Sequence, residues 1–176
     1  MNLQLTPLQL VRGDITQQTT DAIVNAANRL LSGGGGVDGA IHRVGSPAIM
    51  QETQRHYPQG CQTGSAVITT AGDLSIKYVI HAVGPIWTDG HHHEPELLHS
   101  AYRTSLALAT THGCQSISFP AISTGAYGYP LQPAAHIALE TCLDFRIRNN
   151  YPLSIRFVLY DIGTLKTFEI ALAQCT

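Results

Sequence analysis

A run of four glycines is followed closely by a single acidic residue. Residues 33–42 read GGGGVDGAIH, so that Gly36 is followed by Val37 and Asp38. Glycine lets the backbone approach a ligand without a Cβ in the way, and the free N–H groups at a helix start bind anions. The segment therefore predicts a cradle for a phosphate group. The alternative is a flexible surface turn, with Asp38 placed favourably in the field of a helix dipole.

The common nucleotide-binding loops do not fit this segment. Gly34, Gly36 and Gly39 satisfy the spacing G-x-G-x-x-G, but residues 25–32 separate them from the preceding predicted strand. That pattern should begin at the strand end, with an acidic residue about twenty positions further on. A Walker loop needs a lysine after glycine, and neither lysine of the chain follows one. A dinucleotide-dependent oxidoreductase and a nucleoside triphosphate hydrolase are therefore disfavoured.

Short apolar strands alternate with helices along the chain. We predict strands over residues 8–12, 22–25, 65–70, 78–83, 116–119 and 155–160, and helices over residues 36–44, 46–57, 95–111, 134–148 and 164–174. This alternation predicts an α/β fold with a largely parallel sheet covered by helices on both faces. Ligands of such sheets bind beyond the carboxyl ends of the strands. The turn at Gly13 and Asp14 and the two glycine-rich loops all follow strands, so they can share one rim.

Length and composition favour one globular domain over residues 1–176. The chain is 44% hydrophobic and 12% charged, with a net charge of −2, so it offers no basic field for general nucleic-acid binding. Its first ten residues, MNLQLTPLQL, have neither the basic region of a signal peptide nor the apolar run of a membrane helix. Its four cysteines are far apart and form no C-x-x-C pair. This predicts reduced thiols in a cytoplasmic protein without membrane association.

Five segments together resemble the macrodomain family of the MacroD type. They are GDIT at 13–16, VNAAN at 24–28, GGGGVDGAIH at 33–42, AVGPIW at 82–87 and FPAISTGAYGYP at 119–130, and their order and spacing match along nearly the whole chain. The resemblance implies a three-layer macrodomain fold with a mostly parallel central sheet. It also implies a site for ADP-ribose and its esters, with no metal and no further cofactor. We expect a monomer.

The activity implied by the resemblance is hydrolysis of ester-linked ADP-ribose. The implied substrates are O-acetyl-ADP-ribose and proteins that carry mono-ADP-ribose on aspartate or glutamate. One alternative is a reader, which binds ADP-ribose or modified proteins without significant turnover. Another is a phosphatase acting on ADP-ribose 1″-phosphate. The residues leave open which proteins are modified and whether water attacks the ester carbonyl or the anomeric carbon.

The resemblance also implies which residues bind ADP-ribose. Asp14 would accept a hydrogen bond from the adenine amine and the backbone of Ile15 would read the ring edge, although Asp14 also suits a helix N-cap. Tyr160 would stack on adenine, with a plain core tyrosine as the alternative. Backbone N–H groups of Gly36 and Val37 would meet the diphosphate. The second phosphate loop comprises Ser123, Thr124, Gly125, Ala126 and Tyr127.

The implied catalytic residues are Asp38, Asn28 and Tyr127. A carboxylate beside an anionic diphosphate repels it, so Asp38 is better explained by positioning or activating a water at the distal ribose. Asn28 would hold that ribose and Tyr127 would orient it. By contrast, we expect Asn25 to bond the loop backbone.

The remaining polar residues of interest have simpler explanations. His42 and His81 are expected to be hydrogen-bonded packing residues, and Tyr129 a packing residue. Residues 91–93 are three histidines in a predicted variable surface loop, and we expect them to be solvated because no second cluster of ligands is visible. Arg29 and Leu30 occupy the turn after NAAN, where relatives often have proline or a small residue. This departure can change the entrance to the site.

Overall fold

The computed structural model describes residues 8–175. The prediction that the chain has no signal peptide was made from its first ten residues, and residues 1–7 of these lie outside the described residues. Among the helices of residues 8–175, none is long and apolar enough to cross a bilayer.

Six strands form one mixed sheet in the order β1-β6-β5-β2-β4-β3. The strands are β1 (Gln9–Arg12), β2 (Ala22–Ala26), β3 (Ala66–Thr70), β4 (Tyr78–Ala82), β5 (Ser116–Phe119) and β6 (Ser154–Leu159). The β3–β4 pair is antiparallel and the other described pairs are parallel. The predicted strands and the mostly parallel sheet are therefore confirmed. The central strand β2 begins with the fully buried run Ala22, Ile23, Val24, as expected for a strand covered on both faces.

Four helices cover the two faces of this sheet, which confirms the predicted three-layer arrangement. The helices are α1 (Gly36–His56), α2 (Glu94–Thr111), α3 (Leu131–Asn149) and α4 (Ile162–Cys175), and a short 3-10 turn spans Ile15–Gln17. Helix α1 packs on one face, where Ile41 and Ile49 join Ile23 of the sheet in one core. The other helices pack on the opposite face, where Leu98, Leu139 and Phe168 belong to a larger core.

Helix α1 is two helical segments joined at a kink. Ser46 has φ 66° and ψ 176°, which no helix accommodates, and Pro47 follows it. The break confirms the prediction of separate helices over residues 36–44 and 46–57. Helix α3 begins three residues earlier than predicted, at Leu131. Pro133 is tolerated there because the first turn of a helix does not need its backbone N–H groups for intrahelical bonds.

The parallel strands bring their carboxyl ends to one edge of the sheet. Asp14 follows β1, Asn28 follows β2, the loop of residues 120–130 follows β5, and Tyr160 follows β6. These segments come from distant parts of the sequence, and the shared strand direction makes them neighbours. This edge carries the candidate site.

Candidate functional site

A long cleft at this edge consists of two adjoining cavities of about 340 and 650 Å³. We call the smaller one the Asp38 lobe and the larger one the Tyr160 lobe, after a residue that lines each. Both lobes share the glycine loop and part of the second loop. The shared residues are Gly34, Gly35, Gly36, Val37, Ala121 and Gly125.

Each predicted binding or catalytic residue lines one lobe or both. The Asp38 lobe contains Asn28, Asp38, Ser123, Ala126 and Tyr127. The Tyr160 lobe contains Asp14, Ile15, Thr124 and Tyr160. The fold thus brings the predicted residues together, while their roles towards a ligand stay predictions.

The glycine loop has a defined backbone that needs glycine at particular positions. Gly33 and Gly36 have φ values of 78° and 55°, in the region that side chains disfavour. A Cβ on Gly35 would meet nothing within 4 Å, so this position is open towards the cleft. Helix α1 begins at Gly36, and no described side chain caps it. Its first N–H groups are therefore free to bind an anion.

Asp38 is buried in the first turn of α1, with its carboxylate held by two side chains. The residue is 6% exposed. Its Oδ1 accepts from Nδ2 of Asn25 at 2.7 Å and lies 3.1 Å from Nε2 of His42. Its Oδ2 lies beside Gly34, 3.4 Å from where a Cβ would stand. One oxygen is thus held by the protein and the other lies next to the glycine loop.

The bond to the loop backbone that we expected from Asn25 is made by Asn28. Asn25 was predicted to bond the loop backbone, and this is wrong, because its amide bonds Asp38 and His81 instead. Asn28 bonds the loop: its Nδ2 donates to the carbonyl of Gly33 at 2.9 Å. Its Oδ1 accepts from the backbone and the hydroxyl of Ser32, each at 3.2 Å. Asn28 therefore fixes the glycine loop and also lines the Asp38 lobe.

His42 and His81 lie in one polar cluster with Asp38. His81 is buried and hydrogen-bonded on both ring nitrogens, to Asn25 at 3.1 Å and to Thr69 at 2.9 Å, which confirms the packing role expected for it. The His42 ring stacks over His81 with centroids 6.2 Å apart. His42 is therefore more than a packing residue, since it contacts the candidate catalytic carboxylate. This contact was not predicted, although Asp38 and His42 have the i, i+4 spacing of neighbours on a helix.

The ring of His81 is neutral near pH 7, and this predicts a pH-dependent stability. Burial, helped by nearby His42 and opposed by Asp38, lowers the pKa of His81 from 6.5 to about 4. Between these values the unfolded chain binds more protons than the folded one, so the free energy of unfolding falls as pH falls through this range. The expected loss is on the order of 3 kcal/mol.

Urea unfolding of the wild type and of His81→Gln at pH 6.5 and 4.5 measures this contribution. The pH-dependent loss should be smaller in the variant. Burial raises the pKa of Glu94, but hydrogen bonds from backbone N–H groups outweigh it and lower this pKa from 4.5 to about 2. The effect of Glu94 on stability therefore lies mostly below pH 4.5, and it is common to both proteins. Equal losses in both proteins would contradict the assignment to His81.

The second loop, residues 120–130, is held in place by close packing and hydrogen bonds. Ser123 is buried with φ 68°, and its carbonyl accepts from the N–H of Tyr129 at 2.9 Å. A Cβ on Gly84 would stand 2.1 Å from the Ser123 hydroxyl, so glycine is needed there. Tyr129 is buried with its ring 4.7 Å from that of Trp87, which confirms its packing role. Tyr127 is half-buried on the wall of the Asp38 lobe.

Asp14 and Tyr160, each left with two alternatives by the sequence, both line the Tyr160 lobe. Asp14 caps the 3-10 turn, since its Oδ1 accepts from the backbone and hydroxyl of Thr16 at 2.8 and 2.7 Å. Its Oδ2 takes no part in these two bonds. Tyr160 is 82% exposed, so the core-tyrosine alternative is wrong and its ring is accessible at the wall of the lobe.

Arg43 lines the Tyr160 lobe and was not singled out from the sequence. Gly36, Gly39, Ala40 and Arg43 all line this lobe at the i, i+3, i+4, i+7 spacing of one helix face. That spacing, counted forward from the glycine loop, is the signal that identifies it. Its guanidinium adds a positive charge at the rim of this lobe.

The turn after NAAN is fixed by a neighbouring segment. The carbonyl of Arg29 accepts from the N–H of Cys61 at 2.8 Å. A Cβ on Gly60 would lie 2.1 Å from the same carbonyl oxygen, so the two segments touch directly. Leu30 is thereby held with most of its side chain exposed.

The histidine loop of residues 91–93 is exposed, as predicted. The sequence showed no second cluster of ligands beside these histidines, but the fold brings potential metal ligands of Asp89, His92 and Glu94 within 4.8 Å of one another. The Glu94 carboxylate, however, accepts from the backbone of Thr88, Asp89, Gly90 and His92. These bonds explain the order of the loop without a metal ion. The four cysteines are free thiols, as predicted.

Comparison with known proteins agrees with this arrangement. The model of the Macro domain family matches residues 24–138. A protein of Salmonella newport (strain SL254) named O-acetyl-ADP-ribose deacetylase is 54% identical over 169 residues, covering 95% of this chain and 94% of the relative. The Oceanobacillus iheyensis macrodomain with ADP superposes with a TM-score of 0.91 at 40% identity, covering 99% of this chain and 94% of that one. The Trypanosoma brucei macrodomain in complex with ADP-ribose superposes with a TM-score of 0.87 at 41% identity, covering 94% of this chain and 68% of that one.

Proposed function

This chain belongs to the macrodomain family, and on that premise we propose that it is a hydrolase of ester-linked ADP-ribose. The substrate that its relatives' name supports is O-acetyl-ADP-ribose. We extend the proposal to mono-ADP-ribose attached to aspartate or glutamate of proteins, because that bond is also an ester. The observation that carries the proposal is the buried carboxylate of Asp38, held by Asn25 and His42 at one end of the cleft.

The shape of the cleft supports one orientation of ADP-ribose. The open backbone around Gly35 and the free N–H groups of α1 suit the diphosphate, where the two lobes meet. Adenosine then occupies the Tyr160 lobe, next to Asp14 and the accessible ring of Tyr160. The distal ribose lies in the Asp38 lobe, between the glycine loop and Tyr127.

In this orientation Asp38 acts on a water beside the distal ribose. Its Oδ1 accepts the hydrogen bond from Asn25 and lies 3.1 Å from Nε2 of His42, so Oδ2 is the oxygen that holds the water or accepts its proton. Hydrolysis adds the water across the ester bond and releases acetate and ADP-ribose. Asn28 keeps the glycine loop in place and Tyr127 orients the sugar. Fixing the sugar and the water in one geometry supplies much of the rate gain.

The direct test is incubation of the purified chain with O-acetyl-ADP-ribose, and separately with a glutamate-modified protein, without added metal. We expect acetate and ADP-ribose from the first and free ADP-ribose from the second. An arginine-modified protein, in which the bond is not an ester, serves as the control and should stay intact. Binding of ADP-ribose without release from either ester would make the chain a reader and contradict the proposal. With the protein ester, labelled water distinguishes attack at the carbonyl from attack at the anomeric carbon.

Asp14→Asn separates adenine recognition from capping of the 3-10 turn. Asparagine keeps an acceptor oxygen for Thr16 but places an amide nitrogen where the second carboxylate oxygen stood. That nitrogen opposes the adenine amine, so ADP-ribose binding should weaken by roughly 10- to 100-fold, as expected for losing a charged hydrogen bond. Calorimetry with ADP-ribose measures this, and the unfolding midpoint should be unchanged. Affinity equal to that of the wild type would refute the adenine role of Asp14.

A further inference from the structure

A buried histidine outside the cleft is connected to Asp38 through one residue. His81 lies on β4 and is the register partner of Asn25 on the neighbouring strand β2. Nδ2 of Asn25 lies 3.1 Å from Nδ1 of His81 and 2.7 Å from Oδ1 of Asp38. A single amide nitrogen therefore joins the histidine to the candidate catalytic carboxylate.

Two hydrogen bonds determine which nitrogen of His81 carries the proton. The amide nitrogen of Asn25 can only donate, so Nδ1 must accept and is unprotonated. The single hydroxyl hydrogen of Thr69 is donated to the carbonyl of Thr70 at 2.9 Å. Its oxygen must therefore accept from Nε2 of His81, also at 2.9 Å. Both contacts require the neutral tautomer with the proton on Nε2.

We propose that His81, in this tautomer, is a positioning residue for hydrolysis, because it keeps the Asn25 amide nitrogen turned towards Asp38. The inference rests on the proposed function. With the proton on Nδ1, the ring would present a donor to a donor, and the amide of Asn25 would rotate to offer its oxygen. That oxygen would then also approach the Asp38 carboxylate, where two acceptors repel each other. Asp38 would have to move from its present orientation.

The other end of the Asn25 amide supports this directional role. Its Oδ1 is buried and has no hydrogen-bond partner among the described residues. Leaving a buried acceptor unpaired is unfavourable, so the orientation of the amide must be imposed by its neighbours. Asp38 and His81 impose it together, because each uses one hydrogen of Nδ2.

The kinetic test compares three variants in hydrolysis of O-acetyl-ADP-ribose. His81→Leu keeps bulk but removes the acceptor, and kcat should fall roughly 10- to 100-fold with KM little changed, since misplaced catalytic groups lower kcat. His81→Asn offers an oxygen at the position of Nδ1 and should recover most of that loss. Thr53→Val is the matched control, because Thr53 is as buried as His81 and its hydroxyl bonds only within α1. Its kcat should match that of the wild type.

Nitrogen NMR of His81 tests the tautomer without any turnover. In the wild type, Nε2 should be protonated and Nδ1 should not. If His81→Leu does not fold, Thr69→Val provides the second variant, since it removes the acceptor of Nε2 and should lower kcat while shifting the tautomer. A proton on Nδ1, or a kcat loss no greater than that of Thr53→Val, would overturn the proposal. Absence of turnover in the wild type would instead count against the proposed function, and the NMR result would still decide the tautomer.

Discussion

Asp38→Ala is expected to lower the turnover of O-acetyl-ADP-ribose by roughly 10²- to 10⁴-fold, the usual contribution of a positioned acid–base group. The affinity for ADP-ribose should change far less. The reason is the division of the cleft: Asp38 lines the lobe assigned to the distal ribose, while adenosine is assigned to the other lobe, which Asp38 does not line. Removal of the carboxylate also removes the negative charge beside the diphosphate. The affinity of the variant for ADP-ribose is therefore expected to fall little or even to rise.

Three measurements make this expectation specific. Single-turnover acetate release gives the chemical step, and calorimetry with ADP-ribose gives the affinity. Asp144→Ala is the matched control, because that exposed carboxylate pairs with Arg148 on α3 and does not line the cleft. Asp38→Asn separates the structural role of the carboxylate from its role in proton transfer. The amide of the variant retains an oxygen for Asn25 but lacks the charge needed to accept a proton. Equal losses of turnover and affinity in Asp38→Ala would make Asp38 a binding residue.

The local sequence was sufficient to predict the elements and the glycine loops. Strand and helix periods come from neighbouring residues, and so does the break at Ser46 and Pro47. The direction of the strands then followed from their alternation with helices, which requires crossover connections. The edge on which the candidate site lies could therefore be predicted as well. None of these steps needed to know which side chains touch.

The partners of individual polar side chains could not be predicted in the same way. Asn25 and Asn28 are three residues apart in one motif, and the sequence does not say which of them reaches the loop. The answer depends on the parallel pairing of β2 with β4, which places His81 directly beside Asn25. Burial of Tyr160 was undecided for a similar reason: it follows the last residue of β6, where the covering of the sheet ends.

The glycine motif also contained a distinction that spacing does not reveal. Gly35 is open to the cleft, as a position that approaches a ligand should be. Gly39 lies three residues into α1, and a Cβ there would stand 2.6 Å from the carbonyl oxygen of Gly34. Both are glycines of one segment, yet one leaves room for a ligand and the other leaves room for the loop itself. The two positions therefore predict different results when alanine is introduced.

Gly39→Ala is expected to weaken ADP-ribose binding and turnover together, each by roughly 10²-fold, because it displaces the loop to which the diphosphate is assigned. Helix propensity alone predicts that Gly39→Ala stabilises the protein, since alanine is favoured over glycine within a helix by about 1 kcal/mol. We expect the opposite, a loss of stability. Here the new Cβ meets backbone, which cannot turn aside as a flexible side chain can. The hydrogen bond from the N–H of Gly39 to the carbonyl of Gly35, at 3.1 Å, ties the same two segments together.

Gly35→Ala is the matched variant, because its φ of −95° suits alanine and its Cβ would meet no protein atom within 4 Å. We expect an unchanged unfolding midpoint but weaker ADP-ribose binding, since the methyl group enters space assigned to the diphosphate. Thermal unfolding gives the unfolding midpoint of each variant, and calorimetry gives its affinity for ADP-ribose. Binding by Gly39→Ala equal to that of the wild type would show that the loop tolerates displacement. The backbone of the glycine loop would then adapt to its ligand, and the rigidity needed to hold the substrate would have to come from the loop of residues 120–130.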